Sequence, residues 1–253
     1  MAARVVAIVQ ARMGSSRLPG KVLADLGGQP ALAWVTRRAA RAQCIDQVVV
    51  ATSTDEQDDA IAEFCQAAGL PCTRGSLHDV LDRFHQAAEE SRAEIVVRLT
   101  GDCPLIDPSI LDDNLGVFLA AQPGLDFAAN RLPGQPRSIP IGLDAEYCTR
   151  AALDAAWREA KAPHQREHVM PFLYENPQRF NILHMEHHPS YGQYRWTLDT
   201  PEDLQLLREV ATHFADDAFS WLDVIRLFEQ QPHLAQINAA VPHKSQYDVD
   251  PRQ

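Results

Sequence analysis

The chain has 253 residues, 45% of them hydrophobic and 23% charged, the composition of an ordinary folded domain and not of a disordered, fibrous or low-complexity chain. At this length about 70 to 75% of the unfolded surface can be buried, so one large domain needs neither disulfides nor a structural metal to fold. Twenty-three Lys and Arg against 34 Asp and Glu leave a formal charge of −11. That balance excludes non-specific nucleic-acid binding and attachment to an anionic membrane, and any anionic ligand must meet a local basic cluster.

Apolar runs alternate with helix-period stretches through the first half, the pattern of a parallel sheet covered by helices. Val5 to Gln10, Val48 to Ala51 and Ile95 to Leu99 read as strands, and Ala31 to Arg41, Asp55 to Ala68 and Val80 to Ser91 as helices. The order is β-α-β-α, hence α/β. Near residue 121 the pattern changes. Pro123-Gly124, Pro133-Gly134 and Pro136 punctuate short extended pieces up to Tyr147, which predicts a hairpin or arm projecting from the sheet over residues 126 to 147. Helices are expected over Arg150 to Lys161 and Gln165 to Glu175, and strands over Phe180 to Glu186 and Gln193 to Leu198. Thr200 caps a helix opened by Pro201 with Glu202 and Asp203 in its first turn, and Ser220 caps the last helix, to about Glu229. Residues 1 to 240 read as one domain, and Val241 to Gln253 as a polar, mobile tail.

The first ten residues hold too short an apolar run for a signal peptide, and no later run reaches membrane-spanning length. The cysteines Cys44, Cys65, Cys72, Cys103 and Cys148 are odd in number, scattered and without a Cys-x-x-Cys pair. A reducing cytoplasm is the expected setting.

The most informative stretch runs from Gln10 through Ala11-Arg12-Met13-Gly14-Ser15-Ser16-Arg17-Leu18-Pro19-Gly20 to Lys21, directly after the first strand. Ligands of open α/β sheets bind outside the carboxyl ends of the strands. Three cations gather there on an acidic protein. Arg12, Arg17 and Lys21 can supply charge-assisted hydrogen bonds, while Gly14 and Gly20 let backbone amides approach phosphate oxygens. The spacing is neither the Walker loop nor the Gly-x-Gly-x-x-Gly fingerprint, and a solvated surface turn is the plain alternative.

This loop resembles the signature of the cytidylyltransferases that include CMP-Kdo synthetase, acylneuraminate cytidylyltransferase and the spore-coat protein SpsF, with the SpsF-like branch nearest. The resemblance continues through Asp79-Val80-Leu81-Asp82-Arg83, Arg98-Leu99-Thr100-Gly101-Asp102-Cys103-Pro104, Gly142-Leu143-Asp144-Ala145-Glu146, Arg166-Glu167-His168-Val169 and Trp196-Thr197-Leu198-Asp199-Thr200-Pro201-Glu202-Asp203. Each motif alone is weak, and their shared order from residue 4 to about 210 is specific. It implies a Rossmann-like, mostly parallel sheet flanked by helices, of the nucleotide-diphospho-sugar transferase kind. It implies transfer of CMP from CTP to a sugar or related acceptor, with pyrophosphate released, in surface-polysaccharide precursor synthesis. It also implies a homodimer built through the arm.

By that resemblance Ala11, Arg12, Gly14, Ser15, Arg17 and Lys21 hold the nucleotide, with Thr52, Ser53 and Arg83 near the base, and Arg12, Lys21 and Asp102 act in catalysis. Two carboxylates from strand ends, Asp102 and Asp199, can hold a hard cation such as Mg2+ while phosphate oxygens and water complete its shell. Both also have simpler readings, Asp102 as a turn cap before Pro104 and Asp199 as the entry to the helix at Pro201. Asp144 and Glu146 alternate on an extended segment and so face one way, towards an acceptor. Arg166 and His168 join them as candidate acceptor contacts. Ile141 departs from the pattern, which often has Asp before this glycine, and leaves open whether a sugar hydroxyl or a phosphate monoester is the acceptor.

His164-Gln165-Arg166-Glu167-His168 matches the zinc-binding pattern His-x-x-Glu-His but reads as coincidence, because Pro163 places His164 at a helix start. His184, Glu186, His187 and His188 divide between two strand faces and make no single site. Two rival functions remain. A nucleotide-sugar-dependent glycosyltransferase predicts an Asp-x-Asp after a strand, and none is convincing here; a non-catalytic nucleotide-binding partner protein predicts CTP binding without pyrophosphate release.

Overall fold

The computed structural model describes residues 3–242, so all but the first two residues of the expected tail lie outside the described residues. The first half holds β1 (Val5–Gln10), the two-residue pair β2 (Asp25–Leu26) and β3 (Gln29–Pro30), α1 (Ala31–Ala39), β4 (Gln47–Ser53), α2 (Asp59–Ala68), β5 (Cys72–Gly75), α3 (Val80–Glu90), β6 (Ile95–Thr100) and α4 (Pro108–Ala120). The second half holds β7 (Phe127–Ala129), β8 (Glu146–Thr149), α5 (Arg150–Glu159), α6 (Pro163–His168), α7 (Pro171–Tyr174), β9 (Ile182–His184), α8 (Pro201–His213) and α9 (Trp221–Gln230).

Seven strands form one sheet in the order β5-β4-β1-β6-β8-β7-β9. β8 pairs antiparallel with both of its neighbours, β6 and β7, while every other ladder of this sheet is parallel. The Rossmann-like expectation therefore holds. β1 is buried on both faces: Val5, Ala7 and Val9 pack into one apolar cluster and Val6 and Ile8 into another. Such burial explains why its sequence is a continuous apolar run. From β1 the chain moves outward to β4 and β5, then returns through α3 to β6 on β1's other side. This reversal opens a crevice at the carboxyl ends of β1 and β6, where open α/β sheets bind ligands.

The expected hairpin of residues 126 to 147 is present, and its base is part of the sheet. β7 and β8 pair in antiparallel register from Phe127 opposite Cys148 to Ala129 opposite Glu146, and both are largely buried. Residues 133–136 stand exposed at its tip.

Two expected elements need correction. The helix over Gln165 to Glu175 is two short helices, α6 and α7, broken at Val169, whose φ is +72°. Pro171 explains the break, since it has no amide proton and its ring excludes the carbonyl four residues earlier. Gln193 to Leu198 is not a strand: Gln193 lies in a turn, and the segment makes only an isolated bridge, Ile141 to Arg195. Its amides are taken by loops instead, Trp196 by the Ile141 carbonyl at 2.7 Å and Leu198 by that of Asp102 at 2.8 Å. Gly142 permits this approach, for at φ +104° a Cβ would stand 2.7 Å from the Trp196 carbonyl carbon. The chain also forms β5 and α4, which apolar periodicity did not pick out. Cys72-Thr73-Arg74-Gly75 has no alternation, and α4 is apolar around most of its circumference, although Asp107 caps it by accepting from Ser109 N.

Caps were more legible. Thr200 with Asp203, and Ser220 with Asp223, form reciprocal capping boxes at α8 and α9.

Candidate active site

The basic loop leaves β1 at Ala11, whose amide donates to the Ala51 carbonyl, and is tied across its mouth by Gly20 N to Met13 O at 2.9 Å. Gly20, at φ +72°, turns the chain into a single 3-10 turn that starts at Lys21. Asp58 pins the loop from outside, accepting from Met13 N at 2.6 Å. The end of β6 is drawn against it by Gly101, whose amide donates to Gln10 O at 2.8 Å and whose absent Cβ would lie 3.1 Å from that of Ala11. This close approach carries Asp102, the next residue, to the loop's cations.

The outcome is a shared ammonium. Lys21 Nζ donates to Asp102 Oδ2 at 2.5 Å and to Asp199 Oδ1 at 2.7 Å, joining residues from the start, middle and far end of the chain. Asp199 also pairs with Arg17 at 3.1 Å and accepts from Arg195 at 2.8 Å. Arg195 is buried and held by Asp203, which also caps α8. Burial alone pushes the Asp199 carboxyl up, but Lys21, Arg195 and Arg17 outweigh it and bring it down to about 2. Burial likewise works against the charged form of Lys21, and Asp102 and Asp199 reverse that effect and raise it.

These groups open into a cleft of ≈ 660 Å³, whose lining includes Ala11, Arg12, Gly14, Ser15, Arg17, Lys21, Arg83, Asp102 and Asp199. Arg83 is only 2% exposed, yet its Nε and Nη1 have no hydrogen-bond partner. Gly75 makes room for it, since a Cβ there would fall 2.8 Å from Arg83 Cγ. Burial lowers this guanidinium to about 10 despite Asp58 and Asp79, with Arg12 adding to the fall. A buried guanidinium with free donors is costly unless a ligand satisfies it.

The hairpin contributes the other end of the cleft. Arg137 binds both oxygens of Asp144, at 2.5 and 3.1 Å. Arg98 pairs with Glu146, and burial raises the Glu146 carboxyl against the pull of Arg98. Arg131, Glu167, His168 and Tyr174 complete this end. Burial and then the neighbouring Arg137 lower Arg131.

Three residues expected at the site lie elsewhere. Thr52 is fully buried under the sheet's end, and the buried Ser53 hydroxyl donates to Asp58, so neither lines the cleft. Ser53 acts at one remove, through the carboxylate that pins the loop. Arg166 is spent on Asp79, at 2.9 Å through Nε, and on the Trp157 carbonyl at 2.7 Å, tying α6 to α3. In the zinc-like pattern His164 binds Glu175 at 2.8 Å, and among the described residues no group of three or more His, Cys, Asp or Glu is placed to hold a metal. Reading the sequence missed Arg131, Arg137 and Arg195 as site residues. Arg98 left a signal, a charge interrupting the apolar strand Ile95-Val96-Val97-Arg98-Leu99. No helix of the described residues is long and apolar enough to cross a membrane.

A profile of the cytidylyltransferase family matches residues 6–239. The chain belongs to the cytidylyltransferase family. A solved cytidylyltransferase from Leptospira borgpetersenii superposes with a TM-score of 0.89 at 33% identity, covering 96% of this chain and 100% of that one. A protein of Methanocaldococcus jannaschii is 35% identical over 98% of this chain and 99% of its own length. The spore coat polysaccharide biosynthesis protein SpsF of Bacillus subtilis is 32% identical over 81% of this chain and 85% of its own. The resemblance in the ordered motifs thus extends over nearly the whole length of this cytidylyltransferase.

Proposed function

We propose that this cytidylyltransferase moves CMP from CTP to a sugar or related acceptor bound at the hairpin end of the cleft, and releases pyrophosphate. The observation that carries the reading is the convergence of Lys21, Asp102 and Asp199 at one end of a cleft whose other end holds hydrogen-bonding carboxylates. An acceptor oxygen attacks the α-phosphorus in line, a new P–O bond forms, the bond to the bridging oxygen breaks, and the acceptor's proton is released. Arg12, Arg17 and Lys21 offset charge growing on the departing pyrophosphate, and the glycines of the loop admit its oxygens to backbone amides. Arg83, with its free donors, is suited to the carbonyl oxygen of a base. Asp144 and Glu146, steadied by Arg137 and Arg98, accept from acceptor hydroxyls.

The donor set fits a hard divalent cation, since Asp102 and Asp199 present carboxylate oxygens on either side of one positive group. Mg2+ held there would neutralise phosphate charge and align the α-phosphate. Relatives support the chemistry: a 3-deoxy-manno-octulosonate cytidylyltransferase of Anaeromyxobacter dehalogenans is 39% identical over 64% of this chain and 66% of its own. The same reading assigns the protein to the cytoplasm as a homodimer, which light scattering at micromolar concentration checks by mass. The decisive assay is pyrophosphate release from CTP and Mg2+ over a panel of keto sugar acids, neutral sugars and sugar phosphates. Release with one acceptor class is expected. No release with any triphosphate, although CTP binds, would leave only a nucleotide-binding protein.

A further inference from the structure

Lys21 occupies the ground between Asp102 and Asp199, where the same two carboxylates would grip a divalent cation. Its ammonium lies 2.5 Å from one and 2.7 Å from the other. Three cations, Lys21, Arg17 and Arg195, here face three carboxylates, Asp102, Asp199 and Asp203. The cluster is therefore neutral as it stands. A divalent cation added to it would bring two uncompensated charges beside an ammonium in a half-buried cleft, and would compete for lone pairs already facing its protons. Moving Lys21 and Arg17 onto the oxygens of a triphosphate leaves a charge of minus two on the remaining cluster, the complement of one divalent cation.

The surroundings favour that exchange. Backbone atoms of the loop are fixed by Gly20 to Met13 and Met13 to Asp58, so the four-carbon stem of Lys21 can turn while its anchor stays. Arg195 does not face the same choice, because both oxygens of Asp203 hold its guanidinium, and the Asn238 amide donates in turn to Asp203 and to the Arg195 backbone carbonyl. Asp199 consequently keeps one cation when Lys21 departs.

We propose that Lys21 is a built-in stand-in for the metal: it clamps Asp102 to Asp199 and excludes a divalent cation until a nucleoside triphosphate draws the ammonium away. Metal then enters with the triphosphate or after it, and the empty cleft does not collect metal alone. This rests on reading the cleft as a CTP- and metal-using site.

The test uses the full chain and free Mn2+ as probe, read by electron paramagnetic resonance without nucleotide. Lys21→Met is expected to bind Mn2+ at least tenfold more tightly than the unaltered protein, and Lys21→Arg, which keeps a cation, no more tightly. Equal affinities in the Met variant and the unaltered protein overturn the proposal. So does a tighter site in the Met variant that survives Asp102→Asn, because Mn2+ then binds elsewhere.

A second measurement needs no variant of altered charge. The chain has three lysines, Lys21, Lys161 and Lys244, so its side-chain ammonium spectrum is simple, and Lys21→Arg assigns the signal. With a chelator present, CTP is expected to shift the Lys21 signal. An unmoved signal while calorimetry shows CTP bound overturns the stand-in and leaves the functional reading intact. No CTP binding at all defeats both.

Discussion

The two ends of the cleft handle charge differently. At the β1 end one ammonium is divided between two carboxylates, Asp102 and Asp199. At the hairpin end each carboxylate has an arginine of its own, Asp144 with Arg137 and Glu146 with Arg98. A forked guanidinium matched to one carboxylate fixes its geometry, whereas an ammonium is a point donor that can be exchanged for another cation. On the proposed function, the first end suits charges that change partners during the reaction, and the second suits holding still the oxygens assigned to the acceptor.

Substitutions can break that contrast. Lys21→Ala and Asp102→Ala are each expected to lower CTP turnover about a hundredfold to a thousandfold while circular dichroism stays unchanged. Pyrophosphate release close to that of the unaltered protein would remove the shared ammonium from the chemistry. Arg137→Ala frees Asp144 from its fork, and the acceptor KM should rise about tenfold with the CTP KM little changed. A change confined to the CTP KM would assign the hairpin to the nucleotide instead.

Arg83→Met removes two buried, unpartnered donors. CTP should bind about tenfold more weakly while the melting temperature rises, because an apolar side chain of similar length avoids the desolvation cost. A lower melting temperature would mean that the fold itself needs the charge.

Asp199 predicts an acid dependence. Its carboxyl is held at about 2 in the folded state against 3.8 unperturbed, so it stabilises the fold above pH 4, and that contribution, about 2 kcal/mol, is lost as pH falls from 4 towards 2. Asp199→Asn should flatten this limb of the stability profile in denaturant titrations; an unchanged slope would show that its cations are not coupled to folding. Smallest of all, Ser220→Ala removes the α9 cap far from the cleft. It should cost about 1 kcal/mol, a few degrees in melting temperature, with steady-state kinetics unaltered.

Legibility in the sequence followed the range of the forces involved. β1, β4 and β6 were evident because a strand buried on both faces is an unbroken apolar run, and the helices behind Pro201 and Ser220 because capping is settled within four residues. Their carboxyl ends already located the loop of Arg12, Arg17 and Lys21. β5 and α4 were not evident, since neither carries the alternation or stripe that a single solvated face imposes. The failure at Gln193 to Leu198 has another cause: an extended segment becomes a strand only if a neighbour offers its ladder, and here the Asp102 and Ile141 loops took its amides first.

By itself, then, the sequence determined the sheet's buried strands, the helix caps and the basic loop, because propensity, burial pattern and capping act over a few residues. Which charges meet was decided only by tertiary structure. Lys21 and Asp199 are far apart along the chain and join because the sheet reverses direction at β1 and Gly101 and Gly142 let backbones close to contact. The same packing withdrew Thr52, Ser53 and Arg166 from the cleft and brought in Arg98, Arg131 and Arg137, since the partner a charge finds depends on distances that no local pattern encodes.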